Sequence, residues 1–120
     1  MMILFFGYLC NICELIGSEV AEFELSQIPD DIKRGNIQRL YSVVNQRVEL
    51  NPQIEQRAAV LQRHGLKAFD SLHLASAESV SADVLLTVDK DFIKYAKRTG
   101  SPVRVENPII FTIQEVKSER

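Results

Sequence analysis

The chain has 120 residues, of which 46% are hydrophobic and 25% charged, and this is the composition of an ordinary globular domain. The length is sufficient for one domain with a hydrophobic core, so we predict a single domain over residues 1–120. The net charge of −2 argues against a broad nucleic-acid-binding surface but not against a local basic patch. The two cysteines, Cys10 and Cys13, are expected to be buried reduced thiols, which suits a cytoplasmic protein.

The first nine residues (MMILFFGYL) are almost entirely apolar. They lack the basic start and the small-residue cleavage site of a signal peptide, and they are too few to cross a membrane. We therefore predict no membrane association. Periodicity does not decide between a buried helix and a buried strand for this segment.

Strands and helices are predicted to alternate along the rest of the chain. Ser18 and the pair Asn51-Pro52 are typical first residues of a helix, and Gly65 is a typical stop. The predicted strands cover residues 12–17, 47–50, 82–88 and 103–105. The predicted helices cover residues 18–28, 30–45, 51–64, 67–80 and 90–98, and a last helix begins at Asn107-Pro108. This alternation predicts an α/β fold with a parallel sheet and helices on both of its faces.

Two regions of the sequence place aspartates where a binding site is expected. Asp70 lies in an otherwise apolar helix, where a buried carboxylate is costly unless something binds it. Asp89 and Asp91 follow an apolar strand, at the edge where open α/β sheets bind their ligands. The structural alternatives are a hydrogen bond that Asp70 accepts from a neighbouring backbone group, and a role for Asp89 as the cap of the next helix.

The first predicted helix carries a further candidate, Glu24. Helical periodicity places Glu24 on the inward face with Val20 and Ala21, and it places Glu19 and Glu22 on the solvent face. We therefore predict that Glu24 belongs to the site. The alternative is a side chain that reaches solvent from the end of the helix.

Glu24, Asp70 and Asp89, with Asp91 as a possible fourth carboxylate, predict a metal site. Clustered carboxylates repel one another, and all-oxygen donors suit Mg²⁺ or Mn²⁺, ions that bind phosphates and assist their hydrolysis. The residues alone thus indicate a metal-dependent phosphodiester hydrolase, with a phosphate-binding domain without hydrolysis as an alternative. Lys90 and Lys94 are candidates for contacts with substrate phosphates, or are simply solvated. His73, one turn from Asp70, either orients a carboxylate, contacts substrate or is a satisfied core histidine.

The central run AFDSLHLASAESVSADVLLTVDKDF begins at Ala68 and contains all three aspartates of the candidate site. It resembles the signature of PIN-domain nucleases, D-A-x-H-x-A followed by A-D-x-x-L-T-x-D-x-x-F. The matching residues are Asp70, Leu72, His73, Ala75, Ala82, Asp83, Leu86, Thr87, Asp89 and Phe92. Residues 18–25 (SEVAEFEL) are similar to the family's strand-end serine and the helix after it, with Glu24 at the position of the family's acidic residue.

This resemblance, which covers about residues 12–120, implies a PIN-like three-layer α/β sandwich in which a parallel sheet is flanked by helices. It implies a catalytic metal site formed by Glu24, Asp70 and Asp89, with Asp91 in support and Mg²⁺ or Mn²⁺ as the cofactor. Many small bacterial members are toxins of the VapC type, which cleave RNA and are silenced by an antitoxin. An RNA substrate and an antitoxin partner are therefore expected.

The start of the chain departs from the family's pattern. The family begins with a strand whose end carries the first catalytic aspartate, and no aspartate precedes Asp30 here. Residues 1–9 instead look like the family's first helix, so the domain is expected to be truncated, without a central strand and one metal ligand. Residues 1–9 themselves or another chain could fill the gap, and apolar surface left by it would favour a homodimer.

Two candidate functions follow from the motif and from the absence of the family's first aspartate. The first is an endoribonuclease that depends on Mg²⁺ or Mn²⁺ and is weakened by the missing aspartate. The alternative is a catalytically inactive member that acts as a protein-interaction module and binds an antitoxin or a second copy of itself.

Overall fold

The computed structural model describes residues 4–9, 12–41, 46–107 and 110–111 of the chain. The strands are β1 (Leu4–Leu9), β2 (Ile12–Ser18), β3 (Gln46–Val48), β4 (Val84–Leu86) and β5 (Arg104–Glu106). The helices are α1 (Glu19–Ser26), α2 (Asp31–Tyr41), α3 (Pro52–Gln62), α4 (Ala68–Ser79) and α5 (Lys90–Arg98). None of these helices combines the length and the apolar character that crossing a membrane requires. Cys10, the side chain of Cys13 and most of the predicted last helix lie outside what the structure describes.

The strands form one sheet in the order β3-β2-β1-β4-β5. The outer pairs, β2 with β3 and β4 with β5, are parallel, whereas β1 runs antiparallel to both of its neighbours. The predicted α/β class is confirmed, but the sheet is mixed rather than wholly parallel. The reason is that only two residues separate β1 from β2, and a connection this short permits only an antiparallel hairpin.

Strand β1 occupies the centre of the sheet. Phe5 pairs with Ile16 of β2 on one side and with Leu85 of β4 on the other. The interpretation of this segment as the family's first helix is therefore wrong for residues 4–9, and the alternative that the segment fills the central gap is confirmed. Because β1 is antiparallel, its first residue, Leu4, lies opposite Leu86 at the edge where β2 and β4 end.

Local signals in the sequence define where the helices begin and end. The Ser18 hydroxyl accepts a hydrogen bond from the Ala21 amide at 3.1 Å and caps α1. The Asn51 side chain accepts one from the Ile54 amide at 2.9 Å and caps α3. Beyond α3, Gly65 has a φ of +103°, a conformation that residues with a Cβ rarely adopt. These predicted starts and stops are confirmed.

Helix α4 is the central helix of the core. Leu74 and Ala77 have no exposed surface, and α4 packs against α3 through a shared cluster of buried side chains. Burial of a leucine of this kind stabilises a fold by about 1.5–3 kcal/mol. The small alanines of α4 let its neighbours approach closely, so α4 holds its polar residues in fixed positions.

Two acidic side chains of helix α1 form hydrogen bonds with residues in and next to β3. The Glu19 carboxylate accepts a hydrogen bond from the Leu50 amide at 2.8 Å. The Glu22 carboxylate accepts one from Nε of Arg47 at 2.7 Å. Glu19 and Glu22 are both partly exposed, and each also binds a residue far away in the sequence. Both contacts fix the orientation of α1, and with it the direction of Glu24.

Candidate functional site

Asp70 is the centre of the candidate site. It lies in the first turn of α4 and is half-buried, and its carboxylate accepts no hydrogen bond from the part of the chain that the structure describes. Burial raises the pKa of Asp70, and the negative charges of Asp89 and, more weakly, Glu24 raise it further, against the opposing effect of His73 and Lys67. The predicted carboxylates from α1, α4 and the start of α5 are therefore close enough to interact.

Asp89 has a structural role that is visible in its hydrogen bonds. Its Oδ1 accepts hydrogen bonds from the backbone amides of Asp91 at 2.9 Å and Phe92 at 3.2 Å, so Asp89 caps α5. This is the structural alternative that the sequence left open. It leaves Oδ2 without a hydrogen bond from any described residue. The cap thus orients one oxygen and leaves the other available to a ligand.

Glu24 is held by a buried histidine. Nε2 of His73 lies 3.1 Å from Oε1 of Glu24, and His73 has no exposed surface. Nδ1 of His73 is buried with no hydrogen-bond partner among the described atoms. An ionised carboxylate only accepts hydrogen bonds, so Nε2–H donates to Glu24. Of the roles predicted for His73, the structure supports the orientation of a carboxylate.

The chemistry of these donors fits a divalent cation. Each of Glu24, Asp70 and Asp89 has at least one carboxylate oxygen that accepts no hydrogen bond from the described residues, and hard oxygen donors suit Mg²⁺ or Mn²⁺. In the described ranges, however, no three histidine, cysteine, aspartate or glutamate side chains already lie at the spacing of metal ligands. Asp91 is exposed on the first turn of α5. Metal binding by these four residues stays a prediction.

The edge of the sheet lacks an acidic residue at its centre. The resemblance places an aspartate at the end of the family's first strand, which is normally central in the sheet. In this chain the antiparallel β1 fills that position, and it reaches the edge with Leu4. The site therefore contains no acid from the central strand.

The cationic residues around the site differ in position. Lys90 and Lys94 on α5 are exposed and form no ion pair with the described acids, and Nζ of Lys94 lies 5.7 Å from the centre of the Tyr95 ring. Lys67 is the N-cap residue of α4 and is close enough to Asp70 to lower the pKa of Asp70. Sequence patterns did not single out Lys67. The predicted contacts of Lys90 and Lys94 with phosphates stay predictions.

Two aromatic side chains beside the site were missed by sequence reasoning. Phe23 and Phe69 stack with ring centres 5.8 Å apart and remain 53% and 46% exposed. They border a cavity of about 500 Å³ that Glu24 also lines. Phe69 lies in the apolar helix that carries Asp70, but it is exposed rather than buried. The signal available in the sequence was that Phe23 and Phe69 each directly precede a candidate carboxylate.

Substitution can separate the helix-capping role of Asp89 from its predicted role as a metal ligand. We expect Asp89→Asn to leave the free energy of unfolding within about 0.5 kcal/mol of wild type, because asparagine caps helices as well as aspartate. Asp89→Ala is expected to lose about 1 kcal/mol with the cap. Urea unfolding followed by circular dichroism measures both. Equal stability of the alanine variant and wild type would contradict the capping role.

A comparison with family models identifies the chain's relatives. The model described as the PIN domain matches residues 12–98, which is more than half of the chain. The match begins at β2 and ends with α5, so it contains the three candidate carboxylates and leaves out β1. A search of curated proteins and a search of solved structures each gave no significant match. The chain therefore belongs to the PIN domain family, a family of nucleases.

Proposed function

We propose that the chain is an endoribonuclease of the VapC toxin type, which acts in the cytoplasm and depends on Mg²⁺ or Mn²⁺. The observation that carries this proposal is the placement of Asp70 beside two other carboxylates, Asp89 and Glu24, whose charges raise its pKa. Such a cluster of negative charge is relieved when a divalent cation binds. The proposal includes a weakened activity, because the central strand supplies no fourth acid.

The proposed mechanism divides the work between a bound cation and the chain. A divalent cation at Glu24, Asp70 and Asp89 would supply the charge that stabilises in-line displacement at a phosphodiester. The chain holds these carboxylates in place: His73 orients Glu24, and the amides at the start of α5 orient Asp89. Preorganised ligands of this kind lose little freedom when the cation and substrate bind.

Other residues complete the proposed site. Asp91, on the exposed first turn of α5, would act as a supporting ligand. Lys90 and Lys94, exposed on the same helix, would bind the phosphates that flank the cleaved bond and so position the substrate. These phosphate contacts carry no base specificity.

Cleavage of a mixed RNA pool by the purified chain tests the proposal. We expect slow cleavage with Mn²⁺ and none with EDTA. Absence of cleavage in Mn²⁺, from protein whose circular dichroism spectrum shows it to be folded, would contradict the nuclease function. Asp70→Asn, purified in the same way, serves as the control for contaminating ribonuclease.

A second candidate function is a protein-interaction module without activity. Two observations favour it: Glu24 and Asp89 each already bind groups within the protein, and β1 reaches the site with Leu4 rather than with an acid. In this case the partner would be an antitoxin or a second copy of the chain. If the partner is a second copy, sedimentation equilibrium of the purified chain would give a homodimer, and for either partner Mn²⁺ would not bind.

His73 offers a test of how Glu24 is positioned. We expect His73→Leu to reduce Mn²⁺ affinity about 10- to 100-fold, as loss of the partner that orients a metal ligand does. Its stability should change by less than about 1.5 kcal/mol, because leucine has a similar volume and removes the unpartnered Nδ1. His73→Gln, which retains an N–H donor, should restore part of the affinity. Mn²⁺ titration of all three proteins checks this, and equal affinities would exclude a positioning role.

A further inference from the structure

We propose that the cavity beside Phe23 and Phe69 binds an unpaired base of single-stranded RNA next to the bond that is cut. This inference deepens the proposed nuclease function by assigning Phe23 and Phe69 as residues that contact a base of its substrate, and it rests on that function for the placement of the phosphate. The cavity has a volume of about 500 Å³, which is in the range of sites for small planar ligands.

The two aromatic rings form a surface on which a base can stack. The rings of Phe23 and Phe69 are inclined by only 18° to each other, and each side chain keeps about half of its surface exposed. Exposed aromatic side chains of this size are costly to leave in water, and stacking with a base removes them from it. Single-stranded nucleic acids are bound through such stacking, since every base has an aromatic face.

The cavity is also lined by polar groups that a nucleotide can bind. Glu24 lines one side, so the cavity is continuous with the carboxylate site. Lys33 and Gln27 line it as well, and the Lys33 ammonium forms no ion pair with the described acids. A cation can bind a phosphate and an amide can bind a base edge. A purely apolar peptide would use neither, which is why we favour RNA over a peptide as the occupant.

Duplex RNA does not offer its bases to such a cavity. Bases in a helix are stacked on each other, whereas those of single strands and loops are free to stack on side chains. The site should therefore prefer single-stranded RNA over a duplex of the same sequence. This preference would place cleavage in loops, bulges and unpaired ends.

Binding of a short single-stranded RNA that contains 2-aminopurine tests the inference without cleavage, because it is measured in EDTA. We expect the fluorescence of 2-aminopurine to rise on binding to wild type, because the base leaves the neighbouring bases that quench it and stacks on phenylalanine, which quenches it weakly. Phe23→Ala and Phe69→Ala should each lower the affinity about five- to hundredfold and reduce this rise. Phe23→Tyr should retain both, and Ile32→Ala, which alters an exposed apolar residue outside the cavity, should behave as wild type.

The outcomes separate this inference from the proposed function. Metal-dependent cleavage whose KM is unchanged by Phe23→Ala and Phe69→Ala would overturn the base site and leave the nuclease intact. A rise in 2-aminopurine fluorescence that depends on both phenylalanines, without any cleavage in Mn²⁺, would support the base site and overturn the nuclease. Binding of an apolar peptide in the cavity with no RNA binding would overturn the inference in favour of a protein partner.

Discussion

Replacing Asp70 by asparagine is expected to reduce metal-dependent RNA cleavage by at least about 100-fold. Loss of a mere partner of a metal ligand typically costs 10- to 100-fold, so loss of a ligand itself should cost more. Asparagine keeps the shape of the side chain, so the loss would be due to charge and not to packing. Initial rates of cleavage with Mn²⁺, measured for wild type and variant side by side, check this expectation.

The control for this variant is Glu55→Gln, which removes an equal charge from an exposed position on α3. It should cleave at the wild-type rate. Cleavage by Asp70→Asn at the same rate as Glu55→Gln would contradict a role for Asp70 in the reaction.

The same variant is expected to be as stable as wild type or more stable at pH 7. Burial and neighbouring charges raise the pKa of Asp70 above its ordinary value of 3.8, so the fold favours the protonated form. Relative to the unfolded chain, this favourable contribution is complete below pH 3.8 and is lost as the pH rises through the raised pKa. Asparagine resembles the protonated form at every pH. Its advantage in Tm should therefore appear at neutral pH and vanish in acid.

Replacing Phe5 by proline is expected to destabilise the protein by about 1–3 kcal/mol, because a backbone group of a neighbouring strand loses its hydrogen-bond partner, and this is a substantial part of the 5–15 kcal/mol of a typical domain. Phe5 lies in the central strand and pairs on both sides, with Ile16 and Leu85. Proline has no amide hydrogen to donate and is tolerated at sheet edges rather than in central strands. Urea unfolding measures the loss.

Leu9→Pro is the matched control for the central-strand prediction. Leu9 is the last residue of β1, and among the described residues it pairs with Ile12 of β2 and with none of β4. Its substitution should cost clearly less than that of Phe5. Equal stability of Phe5→Pro and wild type would show that residues 4–9 do not form the central strand.

The positions of the helices could be predicted from sequence because their signals are local. Ser18 and Asn51 cap helices through bonds to amides three residues away, and Gly65 adopts its positive φ next to the helix that it ends. Each of these features depends on a few neighbouring residues. Such signals survive in the folded protein because tertiary packing does not compete with them.

The place of residues 4–9 could not be predicted in the same way. An apolar run of this length is compatible with a buried helix or a buried strand, and family resemblance favoured the helix. Its conformation is decided by pairing with β4, some 80 residues later in the chain. A hairpin to β2 then requires it to run antiparallel, which no local pattern of apolar residues specifies.

In the candidate site, too, some residues could be predicted from local patterns and others could not. Helical periodicity and strand ends were enough to select Glu24, Asp70 and Asp89, since each lies on one element. The bond from His73 to Glu24 spans 49 residues, and the contact of Phe23 with Phe69 joins the same two helices. Contacts between α1 and α4 depend on how the helices pack, so the sequence identified the acids but not the groups that orient and border them.

Mn²⁺ binding, measured by electron paramagnetic resonance on wild type and on Asp70→Asn, tests the central claim most directly. The claim is that Glu24, Asp70 and Asp89 form one site for a divalent cation. We expect wild type to bind Mn²⁺ saturably and the variant to show no saturable binding over the same range. Equal affinity of the two proteins, or no binding by folded wild type, would contradict the metal site.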